Sequence, residues 1–291
     1  MHQHSTKETS HSRIGWVFIL NVSFTIIEFI GGMLTNSTAI MADAVHDLGD
    51  SLSIGFAWGL SKLSEKSADS EYTYGYRRFS LMAALINGFV LIAGSIWVLS
   101  EAIPKLFKPE MPVVEGMLGL ALIGIVVNGY AAYKLSAGNT LNERVLNWHL
   151  LEDVLGWFAV LIVSIILLFL DLPILDPVLS ILFTFFILIN VVRNFYNTVR
   201  LFLQASPDKE LSEKIKETLF SLKDVMGVHH LHLWSLDGDH HVLTAHVVIN
   251  KHYPLDQYHL LKTEIQLSLQ SFQLAHTTIE IELQKEKCRD T

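Results

Sequence analysis

Six long apolar stretches dominate the first two-thirds of the chain, near residues 14–34, 38–60, 79–101, 114–134, 148–170 and 174–196. Each can span a hydrocarbon layer about 30 Å thick, which takes roughly 20 helical residues. The pattern predicts six transmembrane helices joined by short links. Turn-forming residues mark the joints: Gly31-Gly32 with Asn36-Ser37, then Pro104, Pro109 and Pro112, then Asp171-Leu172-Pro173. Such residues relax the backbone or remove a donor and so end helices.

The pattern changes near Ser206. Pro207-Asp208-Lys209-Glu210 reads as a helix start with acids in its first turn, followed by an amphipathic run to Leu222. Two strand-like stretches follow, Val228–Ser235 and His241–Ile249, joined by a turn at Asp237-Gly238-Asp239. Leu260, Leu261, Ile265 and Leu269 place a second amphipathic helix over Leu255–Phe272. The final strand, Thr277–Leu283, alternates Ile279 and Ile281 inward with Glu280 and Glu282 outward. The order α-β-β-α-β predicts a small open sheet with helices on one face.

Composition supports two parts rather than one soluble core. Of 291 residues, 51% are hydrophobic and only 17% charged, less charge than a soluble domain usually carries. The expected division is a polar cytoplasmic segment over 1–12, a transmembrane domain over 13–203 and a cytoplasmic α+β domain over 206–291. A net charge of -8 argues against nucleic acid as a partner. The single cysteine, Cys288, allows neither a disulfide framework nor a cysteine-based zinc finger within one chain. The N-terminus lacks the basic start and small-residue cleavage site of a signal peptide. Lys62, Lys66, Arg77, Arg78, Lys134, Arg144, Arg193 and Arg200 fall on one side of the bilayer, against Lys105 and Lys108 on the other. The positive-inside rule then puts both termini in the cytoplasm. The short loops favour a bacterial inner membrane.

Polar chemistry interrupts the apolar pattern at two matched places. His46 and Asp50 stand four residues apart in the second run, and His149 and Asp153 repeat the spacing at the head of the fifth. Residues at that spacing stack on one helix face, about 6 Å apart along the axis. Two such pairs offer two nitrogen and two oxygen donors, a four-coordinate set for zinc or a similar divalent ion. Asp43 and Asp47 share the face of His46 and Asp50. An ionisable group at the centre of a helix costs about 2.5–3.5 kcal/mol to insert, so several on one face call for a compensating cation or proton. The bland alternative is a set of surface acids or an interhelical hydrogen-bond network. Asn21, Glu28, Asn87 and Asn128 read as packing or pathway-lining groups, and Asp176, ahead of Pro177, as a structural acid at a helix start.

Nine of the fourteen histidines follow residue 228: 229, 230, 232, 240, 241, 246, 252, 259 and 276. Any single one reads as a surface histidine, but the cluster points to metal. His246 and Glu282, with His229, can meet across neighbouring strands.

The chain resembles the cation diffusion facilitator family. The resemblance is carried by Ala42-Asp43-Ala44-Val45-His46-Asp47-Leu48-Gly49-Asp50, Tyr74-Gly75-Tyr76-Arg77-Arg78, His149-x-x-x-Asp153, Asp176-Pro177, Val228-His229-His230-Leu231-His232-Leu233-Trp234-Ser235 and the string His276–Glu282. It is most similar to the zinc branch, whose second helix carries His-x-x-x-Asp rather than Asp-x-x-x-Asp. The resemblance implies a homodimer with six transmembrane helices per protomer and a ferredoxin-like, metallochaperone-like tail. It implies a transport site of His46, Asp50, His149 and Asp153, and a regulatory tail site among His229, His246, His259, His276 and Glu282. The transported and regulatory ion is then Zn2+, with Cd2+, Co2+, Ni2+ or Fe2+ open. Two features depart from the family. The loop 61–80 has no histidine, only Glu65, Asp69 and Glu71, against a metal site that some members carry there. Trp148, Glu152 and Trp157 are large or charged around the fifth-helix motif, where they could narrow the pathway.

The function that follows is a divalent metal/proton antiporter exporting metal across the lipid bilayer, not an enzyme. Metal and protons compete for the same imidazoles and carboxylates. A membrane zinc enzyme is the first rival, but a catalytic centre usually keeps three protein ligands and an open position. No hydrolase motif or phosphate loop occurs. A membrane metal sensor that moves no ions is the second rival, and flux separates it.

Overall fold

The computed structural model describes residues 2–64, 66–136 and 141–288. Two compact units divide the chain. One gathers the residues up to Gly59 with Ile86–Phe195, and the other gathers Leu60–Leu85 with Tyr196 onward.

The first unit is helical. The long helices are α1 (His2–Thr35), α2 (Thr38–Ser64), α3 (Arg78–Phe107), α4 (Val114–Ser136), α5 (Leu141–Phe169) and α6 (Leu175–Phe202). The six expected runs are therefore six helices, and α1 runs unbroken from His2 through the segment expected to be a separate polar stretch. Among the described residues, five of the six are long and apolar enough to cross a membrane. The exception, α2, is 27 residues long but carries Asp43, Asp47 and Asp50 within one short stretch. Large apolar side chains such as Phe89, Val126, Phe186 and Ile189 face outward, as lipid-facing positions do.

Two expectations about the joints are corrected. Gly31 and Gly32 lie inside α1 rather than ending it. A Cβ on Gly31 would meet Leu120 of α4 at 2.5 Å, so the glycine serves close helix approach. The chain turns at the other half of the expected joint, Asn36, whose φ of 54° is left-handed and suits asparagine better than most residues. Pro104 likewise sits within α3. It forfeits one backbone hydrogen bond, yet the helix runs on to Phe107 and the Lys108 N–H closes on the Pro104 carbonyl at 3.1 Å.

Because lipid is as apolar as leucine, packing and polar contacts rather than the hydrophobic effect hold these helices together. Phe24, Ile40, Met117, Ala121, Trp157 and Val160 form one buried cluster drawn from α1, α2, α4 and α5. Trp157 is fully buried and fills the space beside Gly124, so it packs in the helix core. Asp176 is a cap, but for a different helix than its position suggests. Its carboxylate accepts from Ser37 Oγ at 2.5 Å, Thr38 N at 2.7 Å, Thr38 Oγ1 at 2.8 Å and Ala39 N at 3.2 Å. It therefore satisfies the free N–H groups that begin α2 from the first turn of α6.

The second unit holds α7 (Lys209–Phe220), β1 (Val225–Ser235), β2 (His241–Ile249), α8 (Leu255–Leu269) and β3 (Leu274–Leu283), in the expected order. Asp208 caps α7 by accepting from Glu210 N at 2.8 Å. The sheet runs β1-β2-β3, with β1 antiparallel and β3 parallel to β2. Alternate residues of β2 (Leu243, Ala245, Val247 and Ile249) join Ile215 and Leu219 of α7 and Leu261, Ile265 and Leu269 of α8 in one core. Each buried Val, Leu or Ile of this core contributes roughly 1.5–3 kcal/mol. The other face of the sheet carries His246.

The segment before α3 belongs to this unit. Asp69 accepts from Tyr76 Oη at 2.6 Å, Lys66 Nζ at 3.1 Å and the Tyr72 and Glu71 N–H groups. These bonds, led by the Tyr76 hydroxyl, hold its carboxyl well below the usual carboxylate range. Arg77 Nη1 lies 2.8 Å from His240 Nδ1 and 3.4 Å from Asp237 Oδ2. Tyr74 meets the rings of Trp234 and His276 edge-on.

Candidate metal centres

One group of donors lies within the helices. His46 and Asp50 are on α2 and His149 and Asp153 on α5, each pair on one face because of its four-residue spacing. His149 Nε2 stands 2.7 Å from Asp50 Oδ2, His46 Nε2 stands 3.6 Å from Asp50 Oδ2, and His46 Nε2 stands 3.9 Å from Asp153 Oδ1. Donors at the corners of a zinc tetrahedron with bonds of about 2.0–2.1 Å are roughly 3.4 Å apart. These three separations bracket that value, and the donors of His46, Asp50 and His149 all lie within 4.8 Å of one another, with Asp153 outside that group. Asp153 is almost fully buried, whereas the other three are about a quarter exposed.

The neighbouring acids hold other places. Asp43, Asp47 and Glu28 are buried, and Asp43 lies against Gly156 of α5. Asn21 Nδ2 donates to Ser51 Oγ and Asn87 Nδ2 to Ser53 Oγ, joining α1 and α3 to α2 as packing groups do. Glu152 is exposed, 3.9 Å from His149 Nδ1. Trp148 is exposed on the helix surface. The motif glycine, Gly49, lies so close to Leu91 of α3 that a side chain there would collide with it.

A second group of donors lies on the outer face of the tail sheet. His229 pairs with His246 across β1 and β2, and Glu282 sits beside Val248 on β3. Between His229 and His232 the ladder has a bulge, where His230 takes a left-handed φ of 45°. Bulges re-aim side chains in this way. His246 Nδ1 lies 2.7 Å from Glu282 Oε1, and His229 Nε2 lies 3.1 Å from Glu282 Oε2. Glu282 does point away from the helix-covered core, as its alternation predicts. It is nevertheless only 4% exposed, because His229, His246 and the chain after β3 cover it. Burial pushes its carboxyl up, but hydrogen bonds with Cys288 and His246 and the nearby imidazoles hold it below its ordinary value.

Two expected tail positions stand apart from this group. His259 is exposed on α8, and His276 packs edge-on against Tyr74 at 5.0 Å. The structure adds a residue that the sequence reading passed over. Cys288 Sγ lies 3.4 Å from His246 Nδ1. One donor atom from each of His229, His246, Glu282 and Cys288 falls within 4.8 Å of every other. Among the described residues only this group and the His46, Asp50, His149 group bring three or more such donors together. Of the loop acids, Glu65 lies outside the described residues, and Asp69 holds Tyr76, Lys66 and the Tyr72 and Glu71 N–H groups instead.

Residues 16–203 match the cation efflux transmembrane domain, and residues 207–284 match the cytoplasmic domain of cation efflux proteins. A Bacillus subtilis protein named cadmium, cobalt and zinc/H(+)-K(+) antiporter is 31% identical, covering 96% of this chain and 91% of its own length. The zinc transporter ZitB of Escherichia coli is 29% identical over 97% of this chain and 90% of its own. The metal cation efflux system protein CzcD of Cupriavidus metallidurans is 27% identical over the same shares. Two matched domains in the order of the two units, spanning most of the chain, establish that it belongs to the cation efflux family, the cation diffusion facilitators.

Proposed function

We propose that this protein exchanges divalent metal, foremost zinc, for protons across a bacterial inner membrane, exporting metal from the cytoplasm as a homodimer with both termini cytoplasmic. The observation that carries this reading is the meeting of His46, Asp50 and His149 from α2 and α5, with Asp153 3.9 Å from His46 as the fourth ligand of the reading. Two imidazoles and two carboxylates coordinate a divalent ion with no net charge, which lowers the cost of holding it at depth in the membrane. Protons can neutralise the same carboxylates when the metal leaves. Ligands must be deprotonated to bind, so loading from the cytoplasm releases protons, and a more acidic exterior favours protonation and metal release. Rocking of the helices exposes the site alternately to the two sides. Four protein ligands leave no open coordination position, which favours carriage over hydrolysis.

The tail group of His229, His246 and Glu282 serves as a regulatory metal site. Metal there favours transport only by binding one conformational state better than another.

Purified protein in sealed vesicles tests the reading. Zinc added outside should enter as protons leave, and both fluxes should disappear in Asp50→Ala and Asp153→Ala. Zinc binding without flux in the unaltered protein would leave the metal-sensor reading standing. Flux that survives both substitutions would keep the antiporter and discard this site.

A further inference from the structure

We infer that Cys288 is a ligand of the tail centre, making it a mixed two-nitrogen, one-oxygen, one-sulfur site for a thiophilic d10 divalent ion such as zinc or cadmium. The inference rests on the tail reading above and extends its ligand set by a residue beyond β3.

Four observations support the assignment. Cys288 belongs to a group whose donor atoms all lie within 4.8 Å of one another. Its sulfur stands 3.4 Å from His246 Nδ1. Zinc bonds of about 2.3 Å to sulfur and about 2.05 Å to nitrogen, at a tetrahedral angle, put those two atoms about 3.5 Å apart. The sulfur also hydrogen-bonds Glu282, so it sits against two other donors rather than one. Finally, the donor types are complementary. Without the thiolate the group supplies two imidazoles and one carboxylate, the three-ligand set of an open zinc site; with it the shell closes at four, as structural and sensing sites require. Thiolate ligation also shifts preference towards soft ions.

The fold explains how a residue so late in the chain arrives there. β3 ends at Leu283, and the Glu286 N–H donates to the Leu283 carbonyl at 2.9 Å while Leu283 N donates back to Glu286 Oε2 at 3.0 Å. This turn folds the chain over the outer face of the sheet, where Glu282 and His246 lie. Cys288 follows two residues later, half-buried.

The chain contains one cysteine, so any thiolate–metal signal reports on this residue alone. The test is cadmium titration of the full-length protein, reduced, in detergent, with Asp50→Ala and Asp153→Ala already introduced to silence the intramembrane centre. The ultraviolet thiolate-to-cadmium charge-transfer band is read alongside total bound cadmium. The expected result is a band that saturates at one cadmium per chain, is absent in Cys288→Ser, and is accompanied there by at least about tenfold weaker cadmium binding. Because the band is read first in the chain with its cysteine intact, the outcome does not depend on how the serine variant folds. Cadmium bound without a band, with affinity unchanged in Cys288→Ser, would overturn the ligand assignment while leaving the tail site of His229, His246 and Glu282 in place. No cadmium bound to the tail would overturn both.

Discussion

The intramembrane centre and the tail centre draw on the same imidazole and carboxylate chemistry, yet they are encoded differently. In the membrane, each helix contributes a pair four residues apart, and the helical repeat alone aligns each pair. Only the packing of α2 on α5 remains to be supplied. In the tail, the donors at 229, 246 and 282 are scattered over more than fifty residues and meet only because β1, β2 and β3 pair in one register. A helical centre is therefore readable as a local motif, while a sheet-borne centre is readable only after the pairing is known. Their settings differ too. The first lies among apolar helices, where a bare charge is costly and a bound cation or proton would offset it. The second lies on the face of a small α+β fold, where bound metal would not have to cross the membrane.

The largest expected effect that separates the two comes from Asp50→Ala. It should lower zinc-driven proton flux at least 100-fold while tail metal binding, measured by equilibrium dialysis, stays the same; joint loss would mean that the centres are one system. Asp176→Ala comes next. It strips a buried carboxylate from Ser37, Thr38 and Ala39, and each lost charge-assisted bond is worth about 1.5–3 kcal/mol. A fall in thermal stability of several degrees in detergent is expected, with the α2 end of the transport centre loosened and the tail domain's own unfolding unchanged. His246→Ala should have the opposite reach: tail metal affinity falls about 10–100-fold and flux at saturating zinc persists. The smallest effect belongs to Arg77→Gln. Its contacts to Asp237 and His240 are partly exposed, so stability should change by no more than about 1 kcal/mol, while hydrogen exchange of residues 66–77 speeds up and both metal centres keep their affinity.

The sequence carried most of the architecture because its two periodicities are strong. The six apolar runs are six helices, and β2 occupies the expected Val–Ile-rich stretch, His241–Ile249. What stayed hidden depended on partners far along the chain. Gly31 looks like a breaker until Leu120 is brought against it. Asp176 looks like a cap for its own helix until Ser37 and Thr38 arrive. Trp157 looks obstructive until Gly124 makes room for it. At the sites, spacing singled out four intramembrane residues and the family resemblance supplied their role; the structure gathers the donors of His46, Asp50 and His149 and leaves Asp153 3.9 Å from His46. His259 and His276 entered through the family resemblance, but one lies on the outside of α8 and the other against Tyr74. Cys288 was set aside because a lone cysteine builds no zinc finger, although it can join a mixed set. The bulge at His230 has no distinctive residue to announce it.

The attachment of the Tyr74–Arg77 stretch to the tail has a practical meaning for recombination between relatives. The tail unit is discontinuous in sequence, built from Leu60–Leu85 as well as from Tyr196 onward. A chimera spliced at one point after α6 would present Arg77 and Tyr74 to a foreign turn and a foreign β3. Grafts that carry both segments keep Arg77 with Asp237 and His240, and Tyr74 with Trp234 and His276. The tail unit is thus transferable only as a pair of separated sequence segments, and variation at 66–77 should track variation at 234–240 and 276 more closely than it tracks the helices on either side of it.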